Sequence, residues 1–394
     1  MPMEYHFARR MRCIPPSFLG ELFRVSSQPG VISFAGGLPG ADVIDVAGIA
    51  EASRHVLEEE GRTALQYSTT DGYLPLREYI ADRYRRRLGL PATAGEIQIV
   101  NGSQQCLDLV ARILTDPGDH IGMEQPGYLG AIEAFSLCEP VIHTVPLHDD
   151  GPDLACFSDL LGKHPLRFFY GIPNSQNPSG RTYSEESRRA IAEIVQETDT
   201  LFYEDDAFGE LFFDGRARPP VTRFLPGQGI MSGSFSKIIA PGMRIGWLYA
   251  PQPVLAQFNC AKQAADLHSN FLCQMVLHRY LATHDLDSLA RAVSRVYGER
   301  CRLMCELLDD LMPAEMTHTT PEGGMFLMCT LPRGTSSMEV FSRGVQEGVA
   351  VLPGVPFCVD GSGDDTIRLN FSSAGEEAIR EGMTRLARVI RDLG

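Results

Sequence analysis

The sequence of 394 residues lacks any apolar run approaching the roughly 18 residues that a helix needs to cross a bilayer. Its first residues, MPMEYHFARRMRC, also lack the continuous apolar stretch of a signal peptide. We therefore expect neither membrane insertion nor secretion. An excess of basic residues is missing too, because the net charge is -15, and this disfavours a nucleic-acid partner. The most basic stretch, residues 83–89, is typical of a solvated helix face.

Cysteine and histidine patterns that would hold a disulfide framework or a metal are also absent. The ten cysteines are scattered without a CxxC pair, and no histidine spacing gathers metal ligands. Cys301 and Cys305 share a helical face, but two thiols without further ligands are more often small core residues. We expect no metal, and reduced thiols indicate the cytoplasm.

Short, apolar, β-rich runs alternate with longer amphipathic stretches from about residue 96 onward. This alternation is typical of βα units that build a mostly parallel sheet buried on both faces. The sequence therefore predicts a doubly wound α/β domain over residues 46–285. Its candidate strands are EIQIV, HIGMEQ, PVIHTVPL, RFFYGIP, LFYEDD, IMSGSFS and RIGWLYAP.

The pattern changes after about residue 275. A long helical segment over Leu286–Leu311 is followed by MFLMCTL, another helix, IRLNFS and a final amphipathic helix. These segments predict a smaller α+β domain over residues 286–394. Residues 1–45 contain the helix-like SFLGELFRV but are too few to fold alone, so we expect an arm that packs on the small domain.

Several segments of the large domain could hold a phosphorylated aromatic cofactor. In NGSQQ, backbone N–H groups and the Ser103 hydroxyl could bind a phosphate at a helix N-terminus, although a Gly-Ser turn there is more often only an N-cap. Tyr128 in EQPGYLG follows a strand end and could stack on a flat heterocycle or pack on its own helix. The turn in YGIPNSQNPSG presents the amides of Asn174 and Asn177; an Asn amide there could donate to an oxygen on the ring, and Asn174 is a candidate for contact with the substrate.

The strand LFYEDD ends in acids at the carboxyl edge of the predicted sheet, where ligands of open α/β sheets bind. A buried carboxylate at this edge would keep a pyridine nitrogen protonated, and we assign that role to Asp205. Adjacent acids at a strand end are otherwise usually a helix cap or a metal site. No companion metal ligands are evident in the sequence.

The segment SGSFSKIIAPGMRIGW carries the strongest signal. Lys237 could form a Schiff base with an aldehyde and then serve as a general base. Ser234, Ser236 and Arg244 flank it and suit a phosphate, and the absence of a Walker A pattern removes a nucleotide P-loop as the explanation. In IRLNFS, Arg368 could bind a substrate carboxylate, although an Arg on a strand is more often an ion-pair partner.

Together these motifs resemble the fold-type I aminotransferases of class I/II, and most closely the branch of 2-aminoadipate, kynurenine and multi-substrate aminotransferases. The resemblance runs from SFAGGLP through LQYSTTDGYLPLR, NGSQQ, QNPSG and EDD to SFSKIIAPGMRIG and IRLNFS. It implies a pyridoxal 5'-phosphate (PLP) cofactor and transfer of an amino group between an amino acid and a 2-oxo acid. The implied fold has a large PLP-binding domain and a smaller α+β domain.

The resemblance also implies roles for individual residues. Lys237 is the Schiff-base lysine, Asp205 pairs with the pyridine nitrogen, and Asn177 meets the ring hydroxyl. Tyr67 reaches the phosphate of a neighbouring subunit, which implies a homodimer with shared active sites. Further implied contacts are ring stacking by Tyr128, phosphate binding by Ser103, Gln104, Ser234, Ser236 and Arg244, and substrate contacts by Gly36, Gly37 and Arg368.

Three departures from the family pattern bear on the substrate and the reaction. Phe208 stands where the family normally has a Tyr, and the lost hydroxyl would raise the basicity of the imine. Gly20 replaces the usual Arg of an early helix, and the loop after AGGLP reads GADVIDV in place of a Phe-Pro pair. These departures motivate an alternative, a specialised PLP enzyme of the same fold that performs β/γ-elimination, replacement or cyclisation.

A third interpretation is a non-catalytic one. Some transcription regulators carry an aminotransferase-like ligand-binding domain behind a winged helix, which would need about 60 or more residues ahead of SFAGGLP. Only 32 residues precede that motif and the chain is acidic, so transamination is the prediction we favour.

Overall fold

The computed structural model describes residues 3, 5–12, 18, 20, 28 and 30–393. Its strands, numbered along the chain, are Ile32–Ser33 (β1), Ile97–Val100 (β2), His120–Gln125 (β3), Val141–His148 (β4), Gly151–Pro152 (β5), Leu166–Gly171 (β6), Leu201–Asp206 (β7), Gly229–Ser234 (β8), Gly246–Tyr249 (β9), Thr317–His318 (β10), Phe326–Thr330 (β11), Val349–Ala350 (β12), Leu352–Pro353 (β13) and Thr366–Asn370 (β14). The α-helices are Val46–Ala64 (α1), Leu74–Arg83 (α2), Ser103–Leu114 (α3), Leu129–Ser136 (α4), Leu154–Lys163 (α5), Glu185–Gln196 (α6), Gln252–Asp266 (α7), Phe271–Thr283 (α8), Leu286–Leu311 (α9), Ser337–Gln346 (α10) and Glu376–Leu393 (α11).

The largest sheet has the strand order β2-β9-β8-β7-β6-β3-β4-β5. Neighbouring strands run parallel from β8 through β7, β6 and β3 to β4, whereas β9 is antiparallel to β2 and β8, and β5 is antiparallel to β4. The predicted doubly wound, mostly parallel sheet is thereby confirmed. Because the five parallel strands share one direction, their carboxyl ends meet at one edge of the sheet.

Helices cover both faces of this sheet, as the alternation of side chains in β6 and β7 shows. Phe169 and Phe202 pack with α5 and α6 on one face. The next residues, Tyr170 and Tyr203, pack with α3 and α4 on the other face. Both strands are therefore buried on each side, which explains why they appear as nearly continuous apolar runs in the sequence.

A second sheet, in the order β10-β11-β14-β13, is antiparallel throughout. The helix predicted over Leu286–Leu311 is confirmed as α9, and its buried face packs with α11 in one apolar core. Strand β1 pairs in parallel with β12, so the segment around residue 32 joins this part of the chain. Most of the helix expected over residues 17–25 lies outside the described residues.

Helix starts differ in a way that matters for the site. The Ser184 hydroxyl caps α6 by accepting a hydrogen bond of 3.0 Å from the backbone N–H of Ser187. Helix α3, in contrast, begins after Gly102 without a side-chain cap, and this leaves N–H groups of its first turn available to an anion.

Among the described helices, none combines the length and apolar character that a membrane crossing requires.

Candidate active site

A cavity of about 430 Å³ opens at the carboxyl edge of the parallel strands. Strands β6, β7 and β8 end at this edge, where ligands of open α/β sheets bind. The residues that line the cavity are Gly37, Leu38, Ser103, Gln104, Tyr128, Leu129, Ile172, Asn177, Asp205, Ala207, Phe208, Ser234, Ser236, Lys237, Pro241, Arg244, Phe326 and Arg368.

Lys237 lies in the loop after β8, and its Nζ donates a hydrogen bond of 2.8 Å to the carbonyl oxygen of Gly37. Burial lowers the pKa of Lys237 to about 8, and the charges of Arg368 and Arg244 act in the same direction. A larger fraction of this amine is therefore neutral near pH 7 than of an exposed lysine, and only a neutral amine is a nucleophile or a base.

The other two lysines of the chain are engaged elsewhere. Lys163 is exposed and pairs with Asp159 one turn away at 2.6 Å. Lys262 is buried and pairs with Asp266 at 2.8 Å. Lys237 lines the cavity, and no carboxylate of the described residues bonds to it.

Asp205 is buried at the end of β7 and faces the cavity. Its carboxylate accepts hydrogen bonds from the Tyr170 hydroxyl at 2.9 Å and from Ser232 Oγ at 3.0 Å. Burial raises the pKa of Asp205 to about 6, while these two donors and Lys237 oppose the rise. The side chain is therefore mainly an anion at neutral pH, and it is available to a cationic ring nitrogen.

Donors for an anion converge at the N-terminus of α3. Arg244 adopts a left-handed backbone conformation, with φ of 55°, and its guanidinium bonds to the carbonyl oxygens of Pro241 at 3.2 Å and Asn101 at 3.4 Å. Gly102 has φ of 75°, a conformation that favours glycine, and a Cβ atom there would lie 2.4 Å from Arg244 Nη2. Ser234 Oγ donates to Ser236 Oγ at 2.9 Å beside the same region of the cavity.

Tyr128 and Gln104 close one side of the cavity. The Tyr128 ring lies against Gly130, where a Cβ atom would come within 2.7 Å of it, and its hydroxyl donates to Gln104 Oε1 at 3.4 Å. Gln104 Nε2 in turn donates to the Gly130 carbonyl oxygen at 2.9 Å. Burial, followed by the charge of Asp205, raises the pKa of Tyr128 to about 12, so the ring is a neutral phenol.

Arg368 lines the cavity from strand β14. Its guanidinium donates to Asn177 Oδ1 at 2.8 Å and to the Ala35 carbonyl oxygen at 2.5 Å, and it stacks 4.1 Å from the centre of the Phe326 ring. Among the described residues no carboxylate pairs with Arg368, and its Nε atom is buried without a hydrogen-bond partner. Burial lowers the pKa of Arg368 to about 9, which reflects a cation held without an anion.

Several known proteins that are similar to this chain in sequence and shape are aminotransferases. A family model described as aminotransferase class I and II matches residues 31–386. A 2-aminoadipate transaminase of Thermus thermophilus is 40% identical over 385 residues, which cover 96% of this chain and 95% of that protein. An aromatic-amino-acid aminotransferase of Thermococcus litoralis is 37% identical, with coverage of 99% and 95%. The solved structure of the alpha-aminoadipate aminotransferase LysN from Thermus thermophilus, complexed with N-(5'-phosphopyridoxyl)-L-leucine, matches with a TM-score of 0.93 at 37% identity, with coverage of 98% and 97%.

The chain belongs to the class I and II aminotransferases. It is a PLP-dependent enzyme with the fold-type I architecture, and it moves an amino group between an amino acid and a 2-oxo acid. The similarity supports transamination and not the alternative of elimination, replacement or cyclisation.

Most residues that the sequence singled out lie together in the cavity of this aminotransferase, but Asn174 does not. Its Nδ2 donates to Asp206 at 2.8 Å, and its Oδ1 accepts from Arg188 at 2.7 Å. Both ends of the amide are therefore hydrogen-bonded to neighbouring side chains, and Asn174 does not line the cavity, so its contact with substrate stays a prediction. Asn177 instead lines the cavity, because the turn between them directs the two side chains differently.

Tyr67 and Gly36 also lie outside the cavity lining. Tyr67 is 78% exposed, and its ring packs edge-on against His268 at 5.8 Å. Gly36 is buried next to Gly37, which does line the cavity. Gly20 is exposed, with no atom of the described residues within 4 Å of a Cβ built on it.

Phe208 lines the cavity of the aminotransferase and is nearly fully buried. Its ring packs edge-on against Phe326, with 5.8 Å between ring centres. An apolar phenyl ring thus lies where the family normally has a tyrosine hydroxyl. The sequence did not single out Tyr170 and Ser232, the two donors to Asp205. Ser232 reaches Asp205 because the two residues are in register on adjacent strands.

Proposed function

We propose that this cavity is the aminotransferase active site and that Lys237 holds the cofactor and moves the substrate proton. One observation carries the proposal: among three lysines in the chain, Lys237 is the one that lines the cavity. Its Nζ lies where the charges of Asp205, Arg244 and Arg368 all act on it. These are the groups that a pyridine nitrogen, a phosphate and a carboxylate would require.

The residues of the cavity fit PLP. The uncapped start of α3 and the guanidinium that approaches Gly102 form an anion site. The buried Asp205 carboxylate has two hydrogen-bond donors and, among the described residues, no ion pair. When bound, PLP supplies an electron-withdrawing ring that stabilises negative charge on the carbon next to the amino group. We assign phosphate contacts to Ser103, Gln104, Ser234, Ser236 and Arg244, the ring nitrogen to Asp205, the ring face to Tyr128 and the ring oxygen to Asn177.

Lys237 performs the proton transfer in this proposal. Its lowered pKa of about 8 leaves part of the amine neutral near pH 7, so Nζ can accept the proton from Cα of a bound amino acid. The Gly37 carbonyl holds Nζ at 2.8 Å and so fixes its direction. Asp205 stays ionised because Tyr170 and Ser232 donate to it, and Asn177 is held in place by Arg368.

We further propose that the preferred amino acids have apolar or aromatic side chains. Arg368 suits the α-carboxylate, since it is buried without an ion pair among the described residues. The described part of the cavity holds no cation besides Arg368, Lys237 and Arg244, so a second carboxylate finds no partner there. Apolar walls are supplied by Leu38, Leu129, Ile172, Phe208 and Phe326. The aromatic substrates in one relative's name and the leucine adduct of another agree with this preference, whereas the 2-aminoadipate in two relatives' names is an acidic substrate.

A panel of amino acids tests both proposals. Single turnovers with leucine, phenylalanine, 2-aminoadipate and aspartate would be followed by the absorbance of the pyridoxamine form of the cofactor. We expect kcat/KM for leucine and phenylalanine to exceed that for aspartate by at least about tenfold, since an unpaired carboxylate would be desolvated. Faster turnover of the acidic substrates would overturn the apolar preference alone. A Lys237→Ala variant that turns over at the wild-type rate would overturn the active-site assignment.

Assembly and location are also proposals. We infer a cytoplasmic homodimer in which Tyr67 serves the site of the second copy, because Tyr67 is exposed beside the exposed Leu65 and Leu267 and lies outside its own cavity. Mixing inactive Lys237→Ala chains with Tyr67→Ala chains should restore one complete site per mixed dimer. If each Tyr67 serves its own chain, mixing restores nothing. The ten scattered cysteines support the cytoplasm.

The division into domains is a proposal as well. We place an arm at residues 1–45, a large PLP-binding domain at 46–285 and a small α+β domain at 286–394. The eight-stranded sheet lies wholly within the second range and the four-stranded sheet within the third, and β1 of the arm pairs with β12 of the small domain. This arrangement supports the boundary at the start of α9.

A further inference from the structure

Three histidines meet at the edge of the large sheet that is opposite the active site. His120 is the first residue of β3, His143 is the third residue of β4, and His164 lies two residues before β6. The strand order places β3 between β4 and β6, with Gly122 in register with His143 and His120 in register with Leu166. Since the strands are parallel and the active-site cavity lies at their carboxyl ends, this cluster occupies the amino-end edge and is separate from the catalytic groups.

The three imidazoles are close enough to share one ligand. One ring nitrogen of each lies within 4.8 Å of a ring nitrogen of the other two. His120 Nδ1 and His143 Nε2 are 2.7 Å apart, and the ring centres of His143 and His164 are 4.2 Å apart. Nitrogen ligands at about 2.0–2.1 Å from tetrahedral Zn²⁺ lie roughly 3.4 Å from one another. The three rings are stacked, with interplanar angles of 18–25°, so the side chains would have to rotate before all three nitrogens face one ion.

The surroundings favour a metal over an internal ion pair. Within the described part of the chain, no carboxylate bonds to any of the three rings, and neither nitrogen of His164 has a hydrogen-bond partner. The nearest acid along the chain, Asp119, is paired with Arg167 at 3.0 Å.

We propose that His120, His143 and His164 form a site for a divalent transition metal of the Zn²⁺ class, with water as the fourth ligand. Three neutral imidazoles suit Zn²⁺, Ni²⁺ or Cu²⁺, whereas Mg²⁺ and Ca²⁺ prefer oxygen ligands. All three side chains are only partly buried, so an ion can enter from solvent. A bound ion would link three neighbouring strands and stabilise the folded chain by binding the native state alone.

Zn²⁺ titration of the PLP-loaded enzyme tests the site. Protein made without a polyhistidine tag and stripped with a chelator would be titrated by calorimetry, and its thermal midpoint measured with and without Zn²⁺. The Zn²⁺ affinity of the wild-type site should fall at least about tenfold in His143→Ala and in His164→Ala. Even the loss of a residue that only hydrogen-bonds to a metal ligand lowers metal affinity by about that factor. The Zn²⁺-induced rise in thermal midpoint should vanish in the same variants.

His148→Ala is the matched control, since His148 is the exposed last residue of the same strand as His143. It should keep the wild-type affinity and thermal shift. Equal Zn²⁺ affinity in wild type, His143→Ala and His164→Ala would overturn the proposal. Spectra of Cu²⁺ bound to wild-type enzyme give a second test that does not depend on how a variant folds. Electron paramagnetic resonance should show coupling to imidazole nitrogens, and its absence at one equivalent of Cu²⁺ would also overturn the proposal.

Discussion

Replacing Asp205 by Asn is the sharpest perturbation of the proposed cofactor site. The change keeps the size of the side chain and removes its charge. In the native site the carboxylate accepts from Tyr170 and Ser232 and still faces the cavity as an anion. An Asn amide has one acceptor oxygen, so it cannot accept both bonds in the same way, and it offers no charge to a protonated ring nitrogen.

The size of the effect follows from breaking a buried charge pair. Asp205 is 4% exposed, so the interaction with the ring nitrogen is not screened by solvent. Removing one partner of a buried pair costs about 3–5 kcal/mol. At about 1.4 kcal/mol for each tenfold change in rate, the proton-transfer step should slow by about 10²- to 10⁴-fold.

Single-turnover absorbance measurements with leucine or phenylalanine would measure this step in wild type and Asp205→Asn. Asp206→Asn is the matched control, because Asp206 is the adjacent residue, accepts from Asn174 at 2.8 Å and does not line the cavity. Burial raises the pKa of Asp206 to about 7, so it is partly neutral already and its loss should change the rate by less than about threefold. An Asp205→Asn rate within tenfold of wild type, or an equal loss in Asp206→Asn, would refute the assignment.

Three more outcomes are expected. Arg368→Lys should lower kcat/KM by about 10- to 100-fold, mainly through KM, because an ammonium cannot replace two charge-assisted bonds of a guanidinium. An unchanged KM in substrate titrations would contradict this expectation. Phe208→Tyr should lower the pKa of the visible absorbance transition of bound PLP by about one unit by adding a hydrogen-bond donor, as a spectral pH titration would show. The rate of PLP uptake by apoenzyme should rise with pH and level off above about pH 8. Burial lowers the pKa of Lys237 to about 8, and only the deprotonated amine reacts. A rate that is flat from about pH 6 to about pH 9 would be evidence against this reasoning.

Features that are local in the sequence could be predicted, and features that depend on strand register could not. Ser234, Ser236, Lys237 and Arg244 fall within 11 consecutive residues, so their chemistry was visible as a group, and the structure gathers them in the cavity. The donors to Asp205 come from two neighbouring strands, and only the alignment of those strands brings them to the carboxylate.

Side-chain direction within a turn was equally hidden. Asn174 and Asn177 are three residues apart in one turn. Because both carry the same side chain, the residue types alone do not tell which of them faces the site. The structure turns Asn174 toward Asp206 and Arg188 and leaves Asn177 at the cavity. The histidine cluster shows the same limit, since its members are about twenty residues apart and no ligand spacing could indicate them.

Borohydride reduction of the PLP-loaded enzyme, followed by peptide mapping, tests the central claim most directly. The chain has three lysines, so the position of the fixed cofactor has three possible outcomes. We predict that the reduced adduct is found on Lys237 and disappears in Lys237→Ala. An adduct on Lys163 or Lys262, or one that persists in Lys237→Ala, would contradict the proposed active site.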